Sequence, residues 1–252
     1  MSGARALVIG NWKMNLDFVE AVHLVQQLGV SLRATPAEHT DVVVAPPFVD
    51  LRSVRSIVDA DRIPISVAAQ HVNPHAKGAH TGEVSTAMLA RLGVEWVLVG
   101  HSERRAMYHM DDAVVAETLR AVLCVGEDAG VRDAGGHEAH VRAQLESALA
   151  GLDVRHREQV TVAYEPVWAI GTGVTATSAQ VAEMTRYLRA VLAAQGLVGT
   201  RVLYGGSVTP DNAAALVEEG DVDGFLVGGA SLVAPSFLAI VQAVNGCYAK
   251  RR

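Results

Sequence analysis

The sequence predicts an α/β fold in which eight parallel strands close into a barrel with helices outside, and three observations carry that expectation. Short β-branched apolar runs recur eight times, helical patterns fall between them, and glycine or polar residues gather just after each run. The runs lack polar alternation, which marks strands buried on both faces, as in a parallel sheet covered by helices. No linker or low-complexity tract interrupts the pattern, so residues 1–252 read as a single domain, with an open doubly wound sheet as the competing topology.

In chain order the runs are 6–9, 42–45, 65–69, 96–99, 122–125, 160–164, 202–204 and 225–227. After the first, Phe18, Val22, Val25 and Leu28 are spaced to share a helical face; after the sixth, Val181, Met184, Leu188, Val191 and Leu192 are spaced likewise. Thr177-Ser178-Ala179-Gln180 reads as a capping box, and Pro210 suits the first turn of a helix after Thr209. The residues that follow the eight runs are Gly10-Asn11, Pro46-Pro47, Gln70-His71, Gly100-His101, Gly126-Glu127, Glu165-Pro166, Gly205-Gly206-Ser207 and Gly228-Gly229. In a closed barrel all eight positions share one mouth, where barrel active sites are built.

Composition narrows the function classes. Half the residues are hydrophobic and 19% charged, enough apolar side chain to fill a core. A net charge of −6 lacks the basic stripe that nucleic acid requires, and Lys250, Arg251 and Arg252 read as a solvated tail. Cys124 and Cys247 stand at no metal or redox spacing, which fits a reducing cytosol. No run approaches the ~18 apolar residues of a membrane span, and no signal-peptide core follows Met1. A cytoplasmic protein without membrane or nucleic-acid partners is expected. His137-Glu138-Ala139-His140 misses the i, i+4 spacing of a zinc helix and reads as a solvated face, so no metal is expected.

Asn11 and Lys13 lie just past the first run, His101 and Glu103 past the fourth, and Glu165 past the sixth. Taken singly, a strand-end lysine is a surface charge, a histidine a structural hydrogen-bonder and a glutamate an ion-pair member. Gathered at one rim they form a different set. The carboxylate can take a proton from carbon, the imidazole can serve a carbonyl oxygen, and the ammonium can stabilise an enediolate. The segment Pro166, Val167, Trp168, Ala169, Ile170, Gly171, Thr172, Gly173, Val174, Thr175 and Ala176 is apolar with a glycine pair at its tip. Trp168 and Ile170 disfavour permanent exposure, so it reads as a lid. Glycines at the ends of the last two runs suit a phosphate cradle. Gly171 to Ala176 also fits G-x-G-x-x-G/A, making a nicotinamide-dependent oxidoreductase an alternative, although that fingerprint belongs on a first βα unit with an acid at the next strand's end.

Five blocks, Asn11-Trp12-Lys13-Met14-Asn15, His101-Ser102-Glu103-Arg104-Arg105, Ala163-Tyr164-Glu165-Pro166-Val167-Trp168-Ala169-Ile170-Gly171-Thr172-Gly173, Tyr204-Gly205-Gly206-Ser207-Val208 and Leu226-Val227-Gly228-Gly229-Ala230-Ser231-Leu232, stand in the order of one family. The chain resembles the triosephosphate isomerases nearly end to end. The resemblance implies a TIM barrel and an aldose–ketose isomerase of glycolysis and gluconeogenesis that interconverts dihydroxyacetone phosphate and glyceraldehyde 3-phosphate without cofactor or metal. It implies Glu165 as base, neutral His101 as electrophile, Lys13 and Asn11 as stabilisers of substrate and enediolate, and Glu103 as a supporting acid near Lys13. Gly171, Gly173, Ser207, Gly228 and Gly229 would hold the phosphate. It further implies a homodimer in which the loop from His71 to Glu83 inserts beside the neighbour's Asn11, Lys13 and His101. Thr81, Glu83, Arg104 and Met14 would lie in that interface, with Arg104 pairing with Glu83 across it.

Three departures stand out. His71 replaces the usual Asn of the family and His80 its usual aromatic. Between Asp111-Asp112 and the fifth run the family's longer helix and turn are missing, so Thr118-Leu119-Arg120-Ala121 leads straight into a strand. An αβ connection takes roughly 2 to 6 residues, and we expect a break in the chain near Ala121-Val122. A catalytically silent barrel is the alternative that this shortening raises.

Overall fold

The computed structural model describes residues 5–108, 119–150, 152, 154–157, 159–171 and 175–251. All eight expected strands are present. In order the elements are β1 (Ala6–Asn11), α1 (Phe18–Ala34), β2 (Thr40–Ala45), α2 (Leu51–Ala60), β3 (Ser66–Ala69), α3 (Thr86–Arg91), β4 (Trp96–Val99), α4 (Ser102–Tyr108), β5 (Arg120–Val125), α5 (Ala129–Asp133), α6 (His137–Ala150), α7 (Val154–Arg157), β6 (Thr161–Tyr164), α8 (Ser178–Ala194), β7 (Val202–Tyr204), α9 (Ala213–Glu218), β8 (Gly224–Val227) and α10 (Ala234–Lys250). Each strand pairs parallel with the next, and β8 returns to β1 with Leu7 opposite Gly224 and Gly10 opposite Val227. The sheet is closed, so the open-sheet alternative falls.

Two apolar layers explain the missing polar alternation. Leu7, Ile9, Val43, Ala68, Leu98, Val122, Leu203 and Leu226 point into the barrel. The intervening residues, such as Val8, Val44, Val67, Val97, Val162 and Val227, pack outward against the helices. On α8, Val181, Met184, Leu188, Val191 and Leu192 are all buried and Thr177 with Gln180 forms the expected capping box.

The face of α1 is rotated from the expected one. Phe18 is 63% exposed, and the buried stripe is Ala21, Leu24, Val25, Leu28, Gly29 and Leu32. Both stripes pass through Val25 and Leu28; the one chosen carries the small Ala21 and Gly29. A Cβ on Gly29 would lie 2.8 Å from Ile63 Cδ1, so small residues let the helix approach closely. Pro210 does not open a helix: α9 starts at Ala213, after a turn in which Asn212 Oδ1 accepts the Thr209 N–H at 2.8 Å.

The expected chain break is also absent. β5 runs unbroken through Ala121 and Val122, in register with β4 and then β6. Asp111, Asp112 and Thr118 lie outside the described residues. Lys250 and Arg251 are exposed, as expected, and each also has a partner within the chain. Lys250 meets Glu218 at 3.5 Å, and Arg251 donates to the Val217 carbonyl at 2.9 Å while covering the Tyr248 ring; Arg252 lies outside the described residues. His137, at the start of α6, is tied to Glu183 on α8 at 3.1 Å instead of facing only solvent. Among the described residues no helix is long and apolar enough to cross a membrane.

Candidate active site

Asn11 ends β1 almost fully buried, and its Oδ1 accepts the Lys13 N–H at 3.0 Å. Lys13 itself has φ 53, a left-handed conformation that costs a side-chain-bearing residue about 1–3 kcal/mol unless its surroundings hold it. Gln70, just past β3, supplies that hold: its Nε2 donates to the carbonyls of Lys13 at 2.7 Å and Ala45 at 2.9 Å. The twisted turn aims the ammonium at Glu103, with Nζ 2.6 Å from Oε1.

His101 follows β4 and is buried. Its Nδ1 accepts the backbone N–H of Glu103 at 3.3 Å, which places the ring proton on Nε2, 3.0 Å from Glu165 Oε1. Burial pushes this imidazole's pKa down, but the carboxylates of Glu165 and Glu103 pull it up further than burial lowers it. The backbone N–H aimed at Nδ1 opposes a second proton, so we take the ring as neutral in this pairing.

Glu165 is 2% exposed, and two glycines make room for it. A Cβ on Gly126 would sit 1.7 Å from the Glu165 carbonyl oxygen, and one on Gly205 2.9 Å from its Cγ. Burial raises the carboxyl pKa, yet His101 and the Ser102 N–H, 2.9 Å from Oε2, hold it below the ordinary carboxylate range. The group rests as a carboxylate.

These side chains converge. Asn11, Lys13, His101 and Glu165 share a cavity of about 340 Å³ with Ile170, Gly171, Ser207, Gly228 and Gly229. Glu103 stands behind, reaching the site through Lys13. The cavity's remaining wall is largely backbone from Gly205 to Thr209 and Gly228 to Ala230, surface that suits an anionic group. A carboxylate, an imidazole N–H and an ammonium around so small a space can remove a proton beside a carbonyl and stabilise the resulting oxyanion.

On the expected lid, Val167 to Ala169 form a 3-10 turn, Ala169 and Ala176 are buried, and Trp168 and Ile170 are half-buried. Thr172, Gly173 and Val174 lie outside the described residues; Thr175 is exposed. Ser207 Oγ donates to the Ala169 carbonyl at 2.8 Å. The lid's root rests on a residue the sequence reading left in a strand-end pair: Glu127, fully buried, whose Oε1 accepts from Trp168 Nε1 (2.9 Å), Tyr164 Oη (3.0 Å) and Arg132 (3.0 Å). Gln70 was overlooked too. For both, position after a strand was the available signal, while burial and hydrogen bonding were not visible. Tyr204 Oη is buried beside Gly206, with the backbone N–H groups of Ala176 and Ser207 turned toward it.

The loop between His71 and Glu83 projects, with residues 74–82 exposed, Thr81 among them. Glu83 is held within its own chain by Asn73 at 2.9 Å and His71 at 3.3 Å, and His75 stacks on His80 with ring centres 4.3 Å apart. Arg104 covers the Tyr108 ring at 5.1 Å, and Met14 is 94% exposed.

Compared with known proteins, residues 6–244 match the family model described as triosephosphate isomerase. Triosephosphate isomerases of Mycobacterium bovis (strain ATCC BAA-935 / AF2122/97) and Mycobacterium tuberculosis (strain ATCC 25618 / H37Rv) are each 46% identical over 96% of this chain and 97% of their own. That of Mycobacterium avium (strain 104) is 44% identical over the same shares. The aligned span of 254 positions exceeds the 252 residues of this chain although only 96% of it is covered, so parts of the relatives have no counterpart here.

Proposed function

Since the chain belongs to the triosephosphate isomerase family and interconverts dihydroxyacetone phosphate and glyceraldehyde 3-phosphate, we propose that Glu165 moves the proton between the two carbons. The family match displaces the silent-barrel and nicotinamide readings. One observation carries the residue assignment: Glu165, His101 and Lys13, from β6, β4 and β1, line one cavity. Glu165 is the base; leaving the Ser102 and His101 hydrogen bonds for the substrate would raise its pKa toward that of a proton acceptor from carbon. The Nε2–H of His101 serves the carbonyl oxygens, and Lys13, held by Gln70 and steadied by Glu103, stabilises the enediolate with Asn11. Gly171, Gly173, Ser207, Gly228 and Gly229 hold the phosphate. The lid from Pro166 to Ala176 closes over it.

We read the protein as a cytoplasmic homodimer of single-domain chains, residues 1–252. Two features support the dimer: the projecting loop between His71 and Glu83, and the exposure of Met14, Val49, Met88 and Met107 along the neighbouring rim. Thr81, Glu83, Arg104 and Met14 are placed in that interface. Converting glyceraldehyde 3-phosphate with the purified chain, and repeating the assay with Glu165→Gln, tests the assignment. We expect turnover from the first and about 10²–10⁴-fold less from the second; undiminished turnover by Glu165→Gln removes Glu165 from the base role.

A further inference from the structure

At its N-terminal end the barrel interior changes character. One step below the apolar layer of Leu7, Val43, Val122 and Leu203, the same inward positions of their strands are Arg5, Asp41, Arg120 and Arg201, beside Trp96 on β4. Asp41 takes Arg5 at 2.6 Å and Arg201 at 3.0 Å, so one carboxylate serves two guanidiniums. Arg120 has no acidic partner among the described residues. Its guanidinium carbon lies 5.1 Å from the centre of the Trp96 ring, and that of Arg201 lies 5.3 Å from the same centre. Two other acids are close: Glu38 is exposed and lends Arg5 its carbonyl, and Glu95 is engaged by Arg55 and Ser66.

Against this layer opens a cavity of about 410 Å³ whose walls include Arg5, Asp41, Ser66, Trp96 and Arg120. We propose that this floor cavity is a second ligand site, for a small phosphate-class oxyanion, with Arg120 as its main partner. A guanidinium presents paired N–H donors that match two phosphate oxygens. Asp41 is taken up by Arg5 and Arg201, so Arg120 brings to the cavity a positive charge that no carboxylate among the described residues offsets, and a bound oxyanion would offset it. The apolar interior of the barrel separates this cavity from the catalytic mouth. Arg120 is the first residue of β5.

Titration calorimetry of the full chain with inorganic phosphate tests the site. We expect two phosphates per chain, one of them lost in Arg120→Ala and bound roughly tenfold more weakly in Arg120→Lys, with isomerase turnover unchanged in both. The Trp96 indole N–H resonance should move during the titration of the unaltered protein and stay still in the variant. If Arg120→Ala does not fold, Arg120→Gln, which keeps an aliphatic stem on the indole, reads the same loss. One phosphate per chain in the unaltered protein, equal stoichiometry in the variants, or equal displacement by chloride at matched ionic strength would overturn the proposal.

Discussion

The two halves of the barrel rim dispose of apolar surface in opposite ways. Around β1 to β4, Met14 (94%), Val49 (83%), Met107 (68%), Phe18 and Tyr108 (63% each) and Met88 (54%) stand exposed. Around β5 to β8 the exposed large apolar side chains among the described residues are Val198 and Val233. The second half instead folds its apolar loop onto itself, with Ala169 and Ala176 buried and Trp168 anchored on Glu127. Yet both halves line the candidate site, Lys13 and His101 from one and Glu165 from the other. One half leaves its apolar side chains open to solvent, where the proposed partner would cover them, and the other packs part of its apolar loop within the chain.

This contrast can be broken in stages. The largest effect is expected on the self-contained side: Glu165→Asp withdraws the carboxylate by about 1 Å and should cost roughly 10²-fold in kcat at every protein concentration. A loss that varies with enzyme concentration would mean the second half also depends on a partner. On the other side, Val49→Asp places a charge where a neighbour is expected, and activity should fall about tenfold on dilution and return on concentration. Sedimentation that shows the same assembly for both proteins would erase the asymmetry. Trp168→Phe keeps the apolar surface and removes one donor to Glu127; a change in kcat of about tenfold or less is expected, equivalent to at most about 1.4 kcal/mol.

The smallest effect concerns His71. Burial and the nearby Arg104 lower its pKa below 6.5 more than Glu83 raises it, so the folded state favours the neutral ring. The unfolded chain then binds the extra proton first, and stability falls as pH drops below about 6.5 until the folded ring titrates too. Thermal melts between pH 7.5 and 5 should show this slope in the unaltered protein and a shallower one in His71→Asn. Identical slopes would remove His71 as its source.

The rim was legible in the sequence because strand ends announce themselves: an apolar run that stops at Gly-His or Glu-Pro fixes both a position and a direction. What stayed hidden depended on partners distant in the chain. Gln70 looked like any polar residue after a strand, and only its bonds to Lys13 and Ala45 show what it secures. Glu127 followed Gly126 as a loop acid would, although it is fully buried with three donors on one oxygen. The face expected for α1, through Phe18 and Val22, was the wrong one, because spacing alone does not show that the small Ala21 and Gly29 let the helix close on Ile63. The stretch before β5 misled in another way: its shortness against the family suggested a break near Ala121-Val122, whereas both residues sit in an unbroken strand paired with β4.

The seam between β1 and β8 has a consequence for how the protein is made. Residues 224–227 are made more than two hundred residues after β1, so the first strand must wait with an unsatisfied edge while every intervening strand is synthesised. During that interval the nascent chain is an incomplete cylinder, open to pairing with a neighbouring nascent chain.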